Sequence, residues 1–400
     1  MQLVKAPSIP RSIWILGLVS LFTDISSEMI HSVLPLFLII ELGASASMVG
    51  LIDGLGEAIA SMLKLFSGAL SDHLGSRKPL LIAGYGLSAA VKPLFALAWD
   101  PSMVLTARCM DRIGKGIRAS PRDALVADLT DPENRGAAYG LRQSLDSIGA
   151  FIGPTIAFVL LSLSNSDFRR VFWLALIPGV FAVLLLCLGI REPQKKSLNA
   201  ERRTNPLRLE QLKRLSGGFW LLFAVSLVFT LGNSSDAFIL LKVKQMGVPT
   251  NFVPLALVVM NIAYALSAYP AGKLSDRIGR KGLLLFSFAL YGLVYLGLAF
   301  ATTFWQIWFL LSLYGLFLGL NQGLLLAITA DRLPSDLRGT GFGLINLSIG
   351  LGLLPASLLA GWLWDSISPQ ATFLTGAAFS IAALLLFSLD SAGKEVVAQP

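Results

Sequence analysis

Seven carboxylates and seven cationic side chains stand inside otherwise apolar stretches of the first half of this chain. The acids are Asp24, Glu28, Asp53, Glu57, Asp111, Asp123 and Asp146; the bases are Lys64, Arg108, Arg112, Lys115, Arg118, Arg122 and Arg142. His31 and an isolated Lys92 stand among them, whereas the matching stretches of the second half hold essentially one such group, Asp236. Ionisable groups in such surroundings are costly, and they are kept for pairing, proton transfer or ion passage. Near-equal numbers of opposite charges pair first with one another, because an unpaired buried ion is expensive. What remains after pairing can do chemistry. Burial favours the neutral form of a carboxyl, so a buried acid can take up and release a proton.

Spacing sorts the candidates. Asp24, Glu28 and His31 fall at i, i+4 and i+7 and share one helical face. Asp53, Glu57 and Lys64 also align, and the charges from Arg108 to Asp123 fit within an arc of about 140° at the helix period. Glu28 is the expected proton carrier, with Asp53 or Glu57 next, then Asp24, and Arg108 or Arg112 tuning it. His31 titrates near neutrality by nature. The same face reads alternatively as a divalent-metal site, since Asp24, Glu28 and His31 offer oxygen and nitrogen ligands. Positions i, i+4 and i+7 alone are too far apart for one compact site, and neighbouring arginines neutralise the acids. In the second half, Asp236, Asn233, Ser234, Asn261, Asn321, Gln322 and Asn346 are candidate solute contacts, with Arg142 and Asp146 from the first half. That division places coupling chemistry in the first half and solute contact in the second.

The elements that carry these groups follow from composition. The chain has 400 residues, of which 14% are charged, and its mean hydropathy is +0.70. A soluble domain carries about a quarter charged residues. The apolar runs are roughly 20 residues long, the length of a spanning helix rather than a barrel strand. Twelve spans are expected, at about 12–40, 47–69, 80–99, 102–127, 137–164, 170–190, 218–245, 250–271, 282–302, 304–330, 339–363 and 370–389. The result is an all-α polytopic membrane protein of two six-helix bundles, 1–190 and 218–400, joined by a basic linker over 191–217. The net charge of +8 does not point to nucleic acid, because the basic residues gather in loops on one side. The densest run, Arg191–Arg214, holds eight. By the positive-inside rule both termini are cytoplasmic, in a plasma or bacterial inner membrane. Cys109 and Cys187 both fall in spans, which excludes a disulfide framework.

The two bundles repeat. GALSDHLGSRK at Gly68–Lys78 returns as GKLSDRIGRK at Gly272–Lys281. ALVADL…RG around Asp128 and Arg135 returns as AITADR…RG around Asp331 and Arg338, and FTDISSE at Phe22–Glu28 returns as FTLGNSSD at Phe229–Asp236. The last match makes Glu28 and Asp236 repeat partners. Parallel six-helix repeats characterise one class of transporter. The duplicated loop resembles the G-x-L-x-D-R-x-G-R-K signature of the major facilitator superfamily. Gly68, Asp72 and Arg77 fit in the first copy, with His73 and Ser76 departing; Gly272, Asp276, Arg277 and Arg280 fit in the second. In the fourth span, Arg112 to Gly116 is similar to the family's R-x-x-x-G element, tied to proton coupling. In the fifth, Gly140, Gly149, Gly153 and Pro154 resemble the pattern of bacterial drug/proton antiporters, without its closing glycine pair: Ala157 and Phe158 stand there.

The resemblance implies a secondary transporter that moves a small solute by alternating access, driven by a proton gradient with no other cofactor, and acting as a monomer. Antiport export is the direction it favours; proton- or sodium-coupled uptake is the alternative. The loop residues would gate the cycle. GxSxG, HExxH and P-loop patterns are absent, so an enzyme is not expected.

Overall fold

A computed structural model describes residues 10–74, 76–131, 134–190, 213–334 and 337–389. Its helices are α1 (Arg11–His31), α2 (Ala46–Leu74), α3 (Lys78–Leu97), α4 (Pro101–Asp128), α5 (Arg135–Leu163), α6 (Phe168–Gly189), α7 (Gly217–Gly232), α8 (Leu255–Ile278), α9 (Arg280–Phe300), α10 (Phe304–Asp331), α11 (Arg338–Ser366) and α12 (Pro369–Ser388). Among the described residues, 11 helical stretches are long and apolar enough to cross a membrane. The remaining one, α4, fails that test only because it carries the charges described above. With α4 counted, the twelve expected spans are present, each within a few residues of its expected limits except at the start of α8 and the ends of α2 and α8. Most of the linker, residues 191–212, lies outside the described residues.

Two spans are interrupted. The first stops at His31 and continues through Leu34–Leu36 into a π-helical turn, Phe37–Glu41. The seventh stops at Gly232 and restarts as a short helix, Ala237–Gln245, leaving Asn233–Asp236 non-helical. Pro35 follows the first interruption, at the start of Leu34–Leu36, where it supplies no amide hydrogen. The second is a run of short polar side chains, which compete with the backbone for hydrogen bonds.

The chain forms two compact units. The first comprises Met1–Leu42, Ile59–Leu198 and Thr250–Val258; the second comprises Gly43–Ala58, Asn199–Pro249 and Val259–Pro400. Helix α2 therefore contributes to both. In the first unit α1 packs on α5 and α6, and α3 packs on α4 and α6. Ile13, Leu16, Val19, Leu81, Tyr85, Leu125, Val126 and Leu186 form a core cluster there. Capping fixes the start of α4, where Asp100 Oδ1 accepts from the Ser102 amide at 2.6 Å. Hydrogen bonds from Ser102, its hydroxyl before its amide, hold the Asp100 carboxyl below the usual carboxylate range. In the second unit α9 packs on α10 and α12, and α7 packs on α11 and α12. The first residues of α2, which belong to this unit, are capped by α11: Asp365 accepts from the Ala46 amide at 3.0 Å and from the Ser47 amide at 2.7 Å. An aromatic core fills it, with Phe229 stacked on Phe288 and Tyr291 stacked on Tyr295 at centroid distances of 4.7 and 4.1 Å.

Candidate functional site

In the first unit, glycines seat the acidic face of α1. A Cβ added at Gly149 of α5 would lie 2.8 Å from the Leu21 carbonyl oxygen and 2.9 Å from Asp24 Cβ; at Gly153 it would lie 2.7 Å from Glu28 Cβ. The glycine pattern of α5 therefore presses that helix onto the turns that carry Asp24 and Glu28. Pro154 is buried beside it. Gly140 does not share this role, contrary to expectation. It is exposed, and a Cβ there would meet nothing within 4 Å, because the start of α5 turns that position away from its neighbours.

The charges pair as electrostatics requires. Glu28 Oε2 lies 3.4 Å from His31 Nδ1. Arg142 and Asp146, expected to face solute, form an i, i+4 ion pair at 2.6 Å. Arg122 lies 3.2 Å from Asp123 and donates to Ser20 Oγ on α1 at 3.3 Å. Helices α3 and α4 meet at Gly84 and Gly114, where a Cβ on either would strike the other's carbonyl oxygen. That approach buries Arg108, Asp111, Arg112 and Arg118, none more than 6% exposed. Arg118 donates to Ser88 Oγ at 2.6 Å and covers the Tyr85 ring at 4.7 Å. Lys92 is not isolated as the sequence implied: its Nζ lies 3.5 Å from Asp111 Oδ1 and 3.3 Å from Ser27 Oγ. Helical spacing within one segment cannot reveal a partner on another helix.

Asp53 and Glu57, expected to join these acids, group with the second unit. Asp53 is buried and accepts from Ser235 Oγ at 2.8 Å, inside the interruption of the seventh span. Asp236, in the same interruption, accepts from the Tyr314 hydroxyl at 2.8 Å. The Tyr291 hydroxyl donates to the Gly232 carbonyl at 2.8 Å, holding the broken end of α7. Asn233 ends α7, its amide directed to Phe229 and Thr230. On α10, Asn321 is half-buried and Gln322 is exposed, the latter accepting from the Tyr264 hydroxyl at 3.2 Å. Sequence reasoning missed Ser235, Tyr291, Tyr295 and Tyr314. The i, i+4 spacing of Tyr291 and Tyr295 was the available signal.

The duplicated loop is tied down in each unit. Arg77 Nε lies 2.6 Å from Asp128 Oδ2, and Arg77 also donates to Ser71 Oγ at 2.7 Å. Its counterpart Arg280 bonds both Asp331 oxygens, at 2.7 and 2.6 Å. Gly68 packs against Ser120, with a Cβ there 3.3 Å away, whereas Gly272 has open space. Gly279 has φ +93, which glycine alone adopts without strain. The side chains of Asp72, Asp276 and Arg277 lie outside the described residues. Among the described residues no three His, Cys, Asp or Glu side chains come together to hold a metal ion, Asp24, Glu28 and His31 included.

A buried network of paired charges in one helical unit, and a broken polar span in the other, are the apparatus of a membrane transporter. Known proteins agree. The chain is 33% identical over 387 residues to an uncharacterized MFS-type transporter of Methanocaldococcus jannaschii, covering 94% of each chain. It is 27% identical over 342 residues to the multidrug resistance protein MdtH of Edwardsiella ictaluri, covering 81% of this chain and 79% of that one. In fold it is similar to a crystal structure of the nucleoside transporter NupG, with a TM-score of 0.80 at 14% identity, over 94% of this chain and 98% of that one. It is also similar to a D-xylose-proton symporter, with a TM-score of 0.75 at 17% identity, over 94% and 96%. The Major Facilitator Superfamily model matches residues 16–260 and 237–399, and the chain belongs to that superfamily of membrane transporters.

Proposed function

We propose that this transporter is proton-coupled and exports a small organic solute by antiport. The observation that carries the reading is the seating of Asp24 and Glu28 against Gly149 and Gly153. A proton taken up by Glu28 cancels its charge and weakens its contact with His31. With α5 packed against the same turn, a change of charge there shifts the packing of α1 on α5. The resemblance to MdtH, whose name is multidrug resistance protein, supports export. Asp53, Glu57, Arg108 and Arg112 assist coupling in this reading. Asp236, Asn233, Asn321 and Gln322 contact solute, and the Arg77 and Arg280 loops gate the cycle. The protein works as a monomer in the lipid bilayer, both termini cytoplasmic, with the proton gradient as its energy source and no cofactor.

The test is Glu28→Gln in reconstituted vesicles carrying an internal pH dye, with organic cations, organic anions and sugars added outside. Wild type should show a solute-dependent pH change, and the variant should lose it while still exchanging solute without a gradient. Full coupling in the variant would remove Glu28 as the carrier.

A further inference from the structure

Lys92 is a lysine where the other strongly buried cations of the first unit are arginines. Among the described residues of that unit, the other strongly buried cations are Arg77, Arg108, Arg112, Arg118 and Arg142. A guanidinium keeps its proton under all ordinary conditions, whereas a buried ammonium can lose one. Lys92 is 2% exposed and lies about 21 Å along α3 at ~1.5 Å per residue, deep in the span. Its one described carboxylate neighbour, Asp111, is 3.5 Å away, too far for a strong charge-assisted hydrogen bond. Pairing for stability alone would favour a closer, bidentate arginine at this position.

Charged and polar groups from three helices surround that ammonium. From α4, Asp111 attracts the ammonium while Arg108, Arg112 and Arg118 repel it. From α1, Ser27 reaches Nζ at 3.3 Å, and Glu28 and His31 follow in the same helix. From α6, Arg169 bonds the Ala96 carbonyl at 2.7 Å, one turn beyond Lys92. Three buried arginines around a lysine–carboxylate pair stabilise that pair when it carries one net negative charge.

We propose that Lys92 holds an exchangeable proton and is a second coupling site beside Glu28. The inference rests on the proton-coupled reading above. Loaded, the pair is ammonium and carboxylate, with no net charge. Unloaded, it is amine and carboxylate; the proton has passed to water, the N–H electron pair stays on nitrogen, and the arginines balance the remaining charge. The step links α3 and α4 to the α1 turn that carries Glu28, through Ser27.

The test is thermal unfolding of the full-length protein in detergent, wild type against Lys92→Arg, across about pH 6 to 9. Arginine keeps the charge and cannot release it. If Lys92 titrates, the difference in Tm between the two proteins should change by more than about 2 °C over that range. A constant difference means a fixed structural cation and overturns the proposal. Should Lys92→Arg not fold, Lys92→Met with Asp111→Asn removes the pair with its charge balance intact. A constant Tm difference between wild type and that double variant overturns the proposal equally. The measurement needs no solute, so a wild type without solute-driven proton movement would sink the proposed function and leave this result readable.

Discussion

Arg77 and Arg280 are the same residue of a duplicated loop, yet their ion pairs sit in different surroundings. The Arg77 side chain is 9% exposed and also bonds Ser71; that of Arg280 is 35% exposed, and its partner Asp331 is 57% exposed. Water screens the second pair and not the first. Arg77→Ala should destabilise the protein by about 2 kcal/mol, through a charged hydrogen bond lost beside a half-buried carboxylate. Arg280→Ala should cost under about 1 kcal/mol. Thermal unfolding of the two variants checks the ranking, and equal losses would contradict it. The residue types of both pairs were legible in the repeats, since Arg77 and Arg280 share an offset with Asp128 and Asp331. The pairing itself was not, because nothing in a linear spacing says which helices touch. The same limit hid the Lys92–Asp111 contact between neighbouring helices and the Asp236–Tyr314 contact across 78 residues.

At the scale of elements, the α5 glycines separate packing from mere small size. Gly153→Leu would drive a branched side chain into Glu28 Cβ and the Ile25 carbonyl. It should lower stability by at least about 1–3 kcal/mol, as overpacking does. Gly140→Ala meets open space and should be neutral or stabilising by up to about 1 kcal/mol, since alanine narrows the unfolded ensemble. The fraction of monodisperse protein on size exclusion, with its Tm, reads both. Helix positions were legible because runs of apolar residues of spanning length leave few alternatives. The two interruptions were not. A hydropathy window averages across Asn233–Asp236, and the break is fixed by partners elsewhere: Tyr291 on Gly232, Tyr314 on Asp236 and Asp53 on Ser235. Charge alone made α4 fail a simple hydropathy test, and its neighbours explain why it is tolerated. Glycine contacts bring α3 against it, and Ser88 and Asp111 stand against Arg118 and Arg112.

The whole molecule is a duplicated helical transporter whose halves have diverged in chemistry. Buried ion pairs dominate the first unit, while aromatic stacking and neutral hydrogen bonds dominate the second. The repeat, the membrane class and the superfamily were legible from three markers at nearly constant offset. The solute was not, because the residues that would contact it are common polar groups whose meaning depends on placement. The central claim is that proton movement drives solute movement. The measurement that meets it most directly is pH-dye fluorescence in vesicles holding the wild-type protein, as a panel of organic solutes is added outside. We predict that at least one solute moves protons, in the direction opposite to its own flux. Solute uptake by tracer with no accompanying pH change would contradict the claim and leave the buried carboxylates a structural role.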